Sequence, residues 1–363
     1  MLNGVALDSA RPSFLRRHLR TLVASLALAG GFAWVLNKGA LPLLPPAGTL
    51  DRVDWTLVLI GTLVLLVSIV ARLVRYHFLI APLASISVTR TFVTLCLSLG
   101  LLTFLPFRLG EMARPALLRE KGKLSGWAVT GTVGAERIID GVVFGIMLLA
   151  GLAFAKPHEP LPDRIGNLPV PAALVPGAAL VASLGFGAAF FAMAAFFLFR
   201  ATARRVTERV LGVISHGLSK RVADAVERVS EGLSFLPSFR YMGSFLALTA
   251  VGALTNIFSL QLLARAVGLS ELSFAQTTVV LGVLALGFAL PNAPGFFGAI
   301  QLALYAGLAV YLPPTRVVHE GAAFVFVFYA AYIGLVILVT LFGLVGEYAV
   351  SHRTAGTGAS TPR

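Results

Sequence analysis

The chain has 363 residues, 57% of them hydrophobic and only 12% charged, where soluble domains average about 45–50% apolar and about 25% charged. That balance excludes an ordinary soluble protein. Its 29 Lys and Arg against 16 Asp and Glu leave a net charge of +13. Basic residues gather in cytoplasmic loops of membrane proteins and beside anionic head groups, so the surplus reads as topology and argues for no nucleic-acid partner.

Cys96 is the single cysteine, which excludes an intrachain disulfide and a thiolate metal cluster. The six histidines are scattered without an H-x-x-x-H pair, and no Walker-A loop, G-x-S-x-G elbow or Rossmann fingerprint occurs. No metal and no cofactor is expected. Arg11, Arg16, Arg17 and Arg20 precede the apolar stretch 21–36, which reads as an uncleaved first helix with residues 1–20 on the cytoplasmic side. Further apolar stretches run over 55–80, 91–107, 128–155, 172–199, 241–263, 274–290, 296–312 and 321–348.

Charge decides which stretches cross. If 91–107 enters and returns, and 274–290 with 296–312 forms a second pair, the inside holds four basic residues at the N-terminus, three in 71–90, five in 108–123, eight in 200–240 and two at the C-terminus, 22 of the 29. Letting 91–107 cross once reverses the bias, so the positive-inside rule selects the re-entrant reading. Gly100 and Pro106 also interrupt that short stretch. A matching signature appears in the second pair: Leu105-Pro106-x-x-x-Gly110 recurs as Leu290-Pro291-x-x-x-Gly295, 185 residues on. In this topology the two copies run in opposite senses, which predicts an inverted repeat of helix, broken segment, helix. A pair of helix ends in loops is the alternative.

Residues 200–240 form the one long polar stretch. Val222, Val226, Val229 and Leu233 recur at helical spacing among charges, which predicts an amphipathic helix on the inner leaflet or a connector packed on the cytoplasmic helix ends. The polar chemistry concentrates earlier. Glu111 and Arg114 are three apart and close enough to pair on a helix, with Pro115 suited to its first turn. Glu136, Arg137 and Asp140 interrupt an apolar stretch, with Glu136 and Asp140 on one helical face and Arg137 within reach of Asp140. Charges in a membrane helix cost about 2.5–3.5 kcal/mol each, so they line a cavity or form an ion-pair knot. Farther on the polar groups are neutral: Asn256, Gln261, Asn292 between Pro291 and Pro294, and Gln301 six residues past Gly295.

Three motifs then stand in order: P-x-R-x-G-E-x-x-R (Pro106, Arg108, Gly110, Glu111, Arg114), E-R-x-x-D (Glu136, Arg137, Asp140) and L-P-x-x-P-G-x-x-G (Leu290 to Gly298). Over roughly 15–350 the chain resembles the lysylphosphatidylglycerol synthase transmembrane-region family, flippase-like proteins related to the N-terminal half of the multiple peptide resistance factor. The family often carries Glu where this chain has Gln301. The resemblance implies translocation of a lipid, such as an aminoacylated phosphatidylglycerol or a polyprenyl-phosphate-linked carrier, in a bacterial cytoplasmic membrane. The synthases' soluble aminoacyl-transferase domain has no counterpart in residues 351–363, so no lysyl-lipid synthesis is expected of these residues.

The expectation is therefore an all-α polytopic membrane protein with about six full spans and two broken segments in an inverted repeat. A first half (21–199), a connector (200–240) and a second half (241–350) form one transmembrane domain, followed by a flexible tail (351–363), with both termini inside. Membrane lipids, anionic or aminoacylated, are the expected partners, with a second copy of the chain or a cell-envelope enzyme left open. Arg108, Arg114 and Arg137 are expected to take a phosphate. Glu111, Glu136 and Asp140 would hold those arginines or meet a cationic head group, and Asn292 and Gln301, with breaks at Pro106, Gly110, Pro291, Pro294, Gly295 and Gly298, would form the rest of the cavity. A membrane-embedded lipid-modifying enzyme, with Glu111 or Asp140 as base, and a non-transporting partner of an envelope enzyme are the rivals.

Overall fold

The computed structural model describes residues 14–105, 110–111, 113–122, 124–157, 161–169, 171–212, 216–289 and 293–357. Among them the chain is helical, with no strand: α1 (Phe14–Lys38), α2 (Trp55–Ile80), α3 (Val88–Phe104), α4 (Ala113–Gly122), α5 (Gly126–Phe154), α6 (Leu174–Leu198), α7 (Arg200–Gly212), α8 (His216–Glu231), α9 (Phe239–Ala266), α10 (Phe274–Ala289), α11 (Ala299–Ala309), α12 (Pro314–Val318) and α13 (Glu320–Thr357). It is a polytopic integral membrane protein. Five stretches are long and apolar enough to span a bilayer: α2, α5, α6, α9 and the run Pro314–Ala349 within α12 and α13. Within α1, the expected sixth span, Val23–Lys38 is a shorter apolar helix. α13 runs to Thr357, past the point where the tail was placed.

Side-chain caps set where the membrane helices begin. Asp54 accepts from the backbone N–H of Thr56 (2.9 Å) and Leu57 (3.1 Å) at the start of α2, and Ser87 accepts from Arg90 N–H (3.2 Å) at the start of α3. At α10, Ser273 and Gln276 cap each other reciprocally, at 2.8 and 3.2 Å, a capping box. α3 and α10 are thus both short apolar helices launched from a serine. Neither continues across. α3 ends in extended backbone at Leu105 and packs against α4, while α10 packs against α11. Each pair packs as a helical hairpin.

The helices repeat in order. α2, the hairpin α3–α4 and α5 are followed, after the α7–α8 connector, by α9, the hairpin α10–α11 and α13. The two halves interlock: α2 packs along α9, α3 packs on α13, and α10 packs on α5. Each hairpin therefore rests on the last helix of the other half, as a two-fold inverted repeat requires. The α2–α9 contact shows the symmetry in its hydrogen bonds. Ser68 Oγ donates to the carbonyl of Gly252 and Ser259 Oγ to that of Gly61, each at 2.8 Å, and on each helix the serine follows the glycine by seven residues. Small residues let the backbones approach, and the hydroxyls bridge them, as membrane helix pairs do without a hydrophobic drive.

The connector is two helices, where the hydrophobic spacing predicted one. α7 and α8 pack as a hairpin, held by Arg204, which bonds Glu208 (3.0 Å) and Glu227. α8 packs on α5, with Ala223 and Ser230 buried and the Val222, Val226 and Val229 stripe half-buried. The reading as a connector seated on the helix ends holds here over the lipid-facing one.

The hairpin turn depends on an absent side chain. A Cβ on Gly110 would lie 2.1 Å from the carbonyl oxygen of Leu101, so the chain folds back directly onto the last turns of α3. Gly185 on α6 has nothing within 4 Å of such an atom. Gly110→Ala should therefore cost about 1–3 kcal/mol through overpacking, while Gly185→Ala in a helix should gain about 0.5–1 kcal/mol. Thermal unfolding of the detergent-solubilised proteins checks this, and equal melting temperatures for wild type and Gly110→Ala would refute the fold-back.

Candidate functional site

The half-way point of α5 carries the charge. Asp140 lies 14 residues from either end of this helix (126 to 154), about 21 Å at 1.5 Å per residue. Glu136 sits one turn earlier and is 1% exposed. A carboxylate so placed has lost its water and needs donors from the protein. Two arginines supply them. Arg75 on α2 donates to Glu136 Oε1 (3.1 Å), Asp140 Oδ2 (2.6 Å) and Thr249 Oγ1 of α9 (2.7 Å). Arg114 on α4 donates to Glu136 Oε2 and to Ser98 Oγ of α3 (3.3 Å).

Aromatic faces complete the enclosure. The Arg114 guanidinium lies over the Tyr76 ring at 4.7 Å and that of Arg75 over Phe245 at 4.8 Å, distances at which cation–π attraction operates. Tyr76 OH shares a hydrogen bond with Thr132 Oγ1 (2.7 Å). This knot ties α2, α4, α5 and α9 together.

Beside the knot opens a cavity of about 440 Å³, bounded by α2, α5 and α6 of the first half and α9, α10 and α13 of the second. That volume suits a head group with part of an acyl chain. Its polar walls carry Arg72, Arg75, Glu111, Arg137, Asp140 and Asn256, with Ser68, Ser183 and Thr249, and most of the remainder is apolar, from Leu65 and Leu148 to Leu284. The lining is graded along the helix axes. Arg75 and Thr249 mark one end, while Leu65 and Leu148 lie two or more turns away toward the other. Arg137 Nη2 and Glu111 Oε1 form an ion pair at 3.1 Å, each side chain 26% exposed. The second hairpin contributes Phe296, whose φ of +53° is left-handed. Such a conformation costs about 1–3 kcal/mol in a residue other than glycine.

The structure redistributes the expected site. Glu111, Arg137 and Asp140 line the cavity, whereas Arg114 and Glu136 lie behind it in the buried knot. Among the described residues Glu111 pairs with Arg137, and Arg114 with Glu136, both on α5. Arg137 likewise does not bond Asp140; that carboxylate faces Arg75 on α2. Gln301 lies outside the cavity, since its Oε1 accepts the Gly298 N–H (2.7 Å) and caps α11. Gly110, Pro294, Gly295 and Gly298 sit at the hairpin turns, Gly295 and Gly298 with φ of +72° and +82°. Arg108, Asn292, Pro106 and Pro291 lie outside the described residues.

Sequence reasoning missed Arg72 and Arg75. Both were counted as cytoplasmic marks of the 71–90 loop, but α2 continues to Ile80 and carries them inside the bundle. Asn256, read only as a neutral polar group, faces the cavity, and its Oδ1 is buried without a hydrogen-bond partner among the described residues.

The family model described as the lysylphosphatidylglycerol synthase TM region matches residues 22–343. The chain belongs to that family. A membrane role in lipid handling accords with a synthase transmembrane region whose cavity is charged at one end and apolar at the other. No curated protein and no solved structure matches the chain.

The knot makes a stability prediction. Replacing Glu136 by Gln leaves Arg114 buried without a carboxylate and Arg75 with Asp140 alone, and breaking such a buried pair costs about 3–5 kcal/mol. Asp140→Asn should cost less, because Arg75 retains Glu136 and Thr249. Melting curves in detergent report the order; an Asp140→Asn defect as large as that of Glu136→Gln would show the knot is centred elsewhere.

Proposed function

We propose that the protein is a lipid translocase that moves a phospholipid with an anionic or aminoacylated head group, or a polyprenyl-phosphate-linked lipid, between leaflets of a bacterial cytoplasmic membrane. The supporting observation is the cavity between the two inverted halves, with its charged residues gathered at one end and a mostly apolar lining beyond them. A head group would seat among Arg72, Arg137 and Asp140 while the chain lies along the apolar wall. Rocking of the halves, each hairpin riding on the other half's last helix, would open this site to one leaflet and then the other. The half-exposed Glu111–Arg137 pair joins the first hairpin's turn to α5, so a phosphate competing for Arg137 would loosen that hairpin.

The purified chain in vesicles with labelled phosphatidylglycerol should exchange lipid between leaflets faster than empty vesicles, without change in lipid mass. No acceleration would remove the translocase reading, and a new lipid mass would favour an embedded enzyme. Arg137→Ala should slow exchange at least tenfold with the protein still membrane-inserted, since one guanidinium–phosphate contact is worth about 1.5–3 kcal/mol. Exchange at the wild-type rate would confine Arg137 to structure.

On this reading α7, α8 and both termini lie at the cytoplasmic face, in keeping with the positive-inside rule for so basic a connector. In a Cys96→Ser background, Arg205→Cys should react with an impermeant thiol reagent only after permeabilisation, and Arg52→Cys should react in intact cells. The opposite pattern would invert the orientation.

A further inference from the structure

Four arginines and three carboxylates meet in this membrane interior: Arg72, Arg75, Arg114 and Arg137 against Glu111, Glu136 and Asp140. Among the described residues one positive charge is left over. The pairing shows where it sits. Arg75 and Arg114 are spent on Glu136, Asp140, Thr249 and Ser98, and Arg137 on Glu111. Arg72 has no hydrogen-bond or ion-pair partner among the described residues. It lies in the field of two other arginines, Arg137 and Arg75, as well as of Glu136 and Asp140.

Position adds a second observation. Arg72 lies one turn from Arg75 toward the apolar end, on the wall of the 440 Å³ cavity. It also borders a small adjoining cavity of about 30 Å³, together with Tyr76, Glu136 and Tyr332, roomy enough for one water. An unpaired guanidinium at this depth is costly to insert, and such residues mark ligand paths. Its planar donors match a phosphate's oxygens, and the apolar wall begins next to it at Ile69 and Leu65.

We infer that Arg72 is the phosphate-binding residue of the cavity, holding the phosphate of a lipid whose acyl chain lies toward Leu65 and Leu148. This rests on the lipid-handling reading above and assigns the phosphate to an arginine distinct from Arg108, Arg114 and Arg137. The Arg75 and Arg114 guanidiniums are structural, and Arg137 is exchanged with Glu111 as the ligand passes.

Native mass spectrometry of the full-length, detergent-solubilised protein tests the assignment with three probes: short-chain phosphatidylglycerol, its phosphate-free diacylglycerol counterpart, and inorganic phosphate. Wild type should retain phosphatidylglycerol and neither of the others. Arg72→Ala and Arg72→Gln should bind it about ten- to hundredfold more weakly, the range for losing a charge-assisted hydrogen bond, while Arg72→Lys keeps part of the binding. Melting temperatures of all three variants should stay at the wild-type value, because no protein partner is lost; if Arg72→Ala alone fails to fold, Arg72→Gln and Arg72→Lys decide. Wild-type affinity in the neutral variants, or neither phosphatidylglycerol nor inorganic phosphate retained by wild type, overturns the inference. Binding of inorganic phosphate that depends on Arg72, without lipid binding, keeps the subsite and removes the lipid as its ligand. Arg72-dependent lipid binding in a protein that exchanges no lipid in vesicles keeps the subsite and removes translocation.

Discussion

Everything in this bundle turns on how one carboxylate is made tolerable in the middle of a membrane. Glu136 is enclosed by protein and shared between Arg75 and Arg114, and those two arginines arrive on different elements, α2 and α4. α4 belongs to the hairpin that turns back within the membrane region, so the pair that satisfies Glu136 also fixes that hairpin against α5. A buried ion pair is a weak source of net stability but a strong selector of one arrangement, since any other packing strands a charge in hydrocarbon. The hairpin's short apolar helix and its Gly110 turn supply the shape; Glu136 specifies where that shape docks.

The second half solves the same docking problem without charge. Its hairpin turns at Gly295 and Gly298, with Gln301 capping α11 through the Gly298 N–H. Close contacts of small residues bring α10 against α5, with Gly151 facing Val279 and Gly282 facing Leu148. Related contacts bring α13 against α3, where Gly100 faces Thr340 and Gly343 faces Cys96. The architecture is therefore symmetric in backbone and asymmetric in chemistry. One half carries the ionic site; the other supplies mostly apolar wall and Asn256. A cavity bounded by both is polar on one side by construction.

The fold was largely legible in the sequence because its signals are local. Apolar run lengths located the five spans and the shorter apolar helices α3, α10 and α11, and Leu105-Pro106-x-x-x-Gly110 matched Leu290-Pro291-x-x-x-Gly295 at the spacing that separates α3 from α10. The site was legible only in part, because pairing across helices is not a local property. Glu111 and Arg114, three apart, looked like partners, yet each bonds a residue on α5 more than twenty positions away. Arg72 and Arg75 stand near the end of an apolar run, where basic residues ordinarily mark the cytoplasmic surface. Nothing within α2 distinguishes an arginine that leaves the membrane from one that turns back to meet Asp140 on another helix. Gln301 misled for the opposite reason: six residues beyond a break it resembled a cavity residue, while the cap it forms requires only three.

The contrast among the four arginines also bears on how a site of this kind can release what it holds. A cavity with several uncommitted guanidiniums would bind a phosphate tightly and keep it, since each charge-assisted contact adds about 1.5–3 kcal/mol. Here Arg75 on the wall and Arg114 behind it are neutralised by carboxylates, and a third arginine is balanced by Glu111. Only Arg72 presents its charge to the cavity without a counterpart among the described residues. Binding then rests on one strong contact and a length of apolar surface, and Arg137 can gain the phosphate only as it loses Glu111. Such an exchange keeps the charge count of the membrane interior nearly constant while the ligand moves, so the surrounding carboxylates set an upper limit on affinity as well as a lower limit on stability.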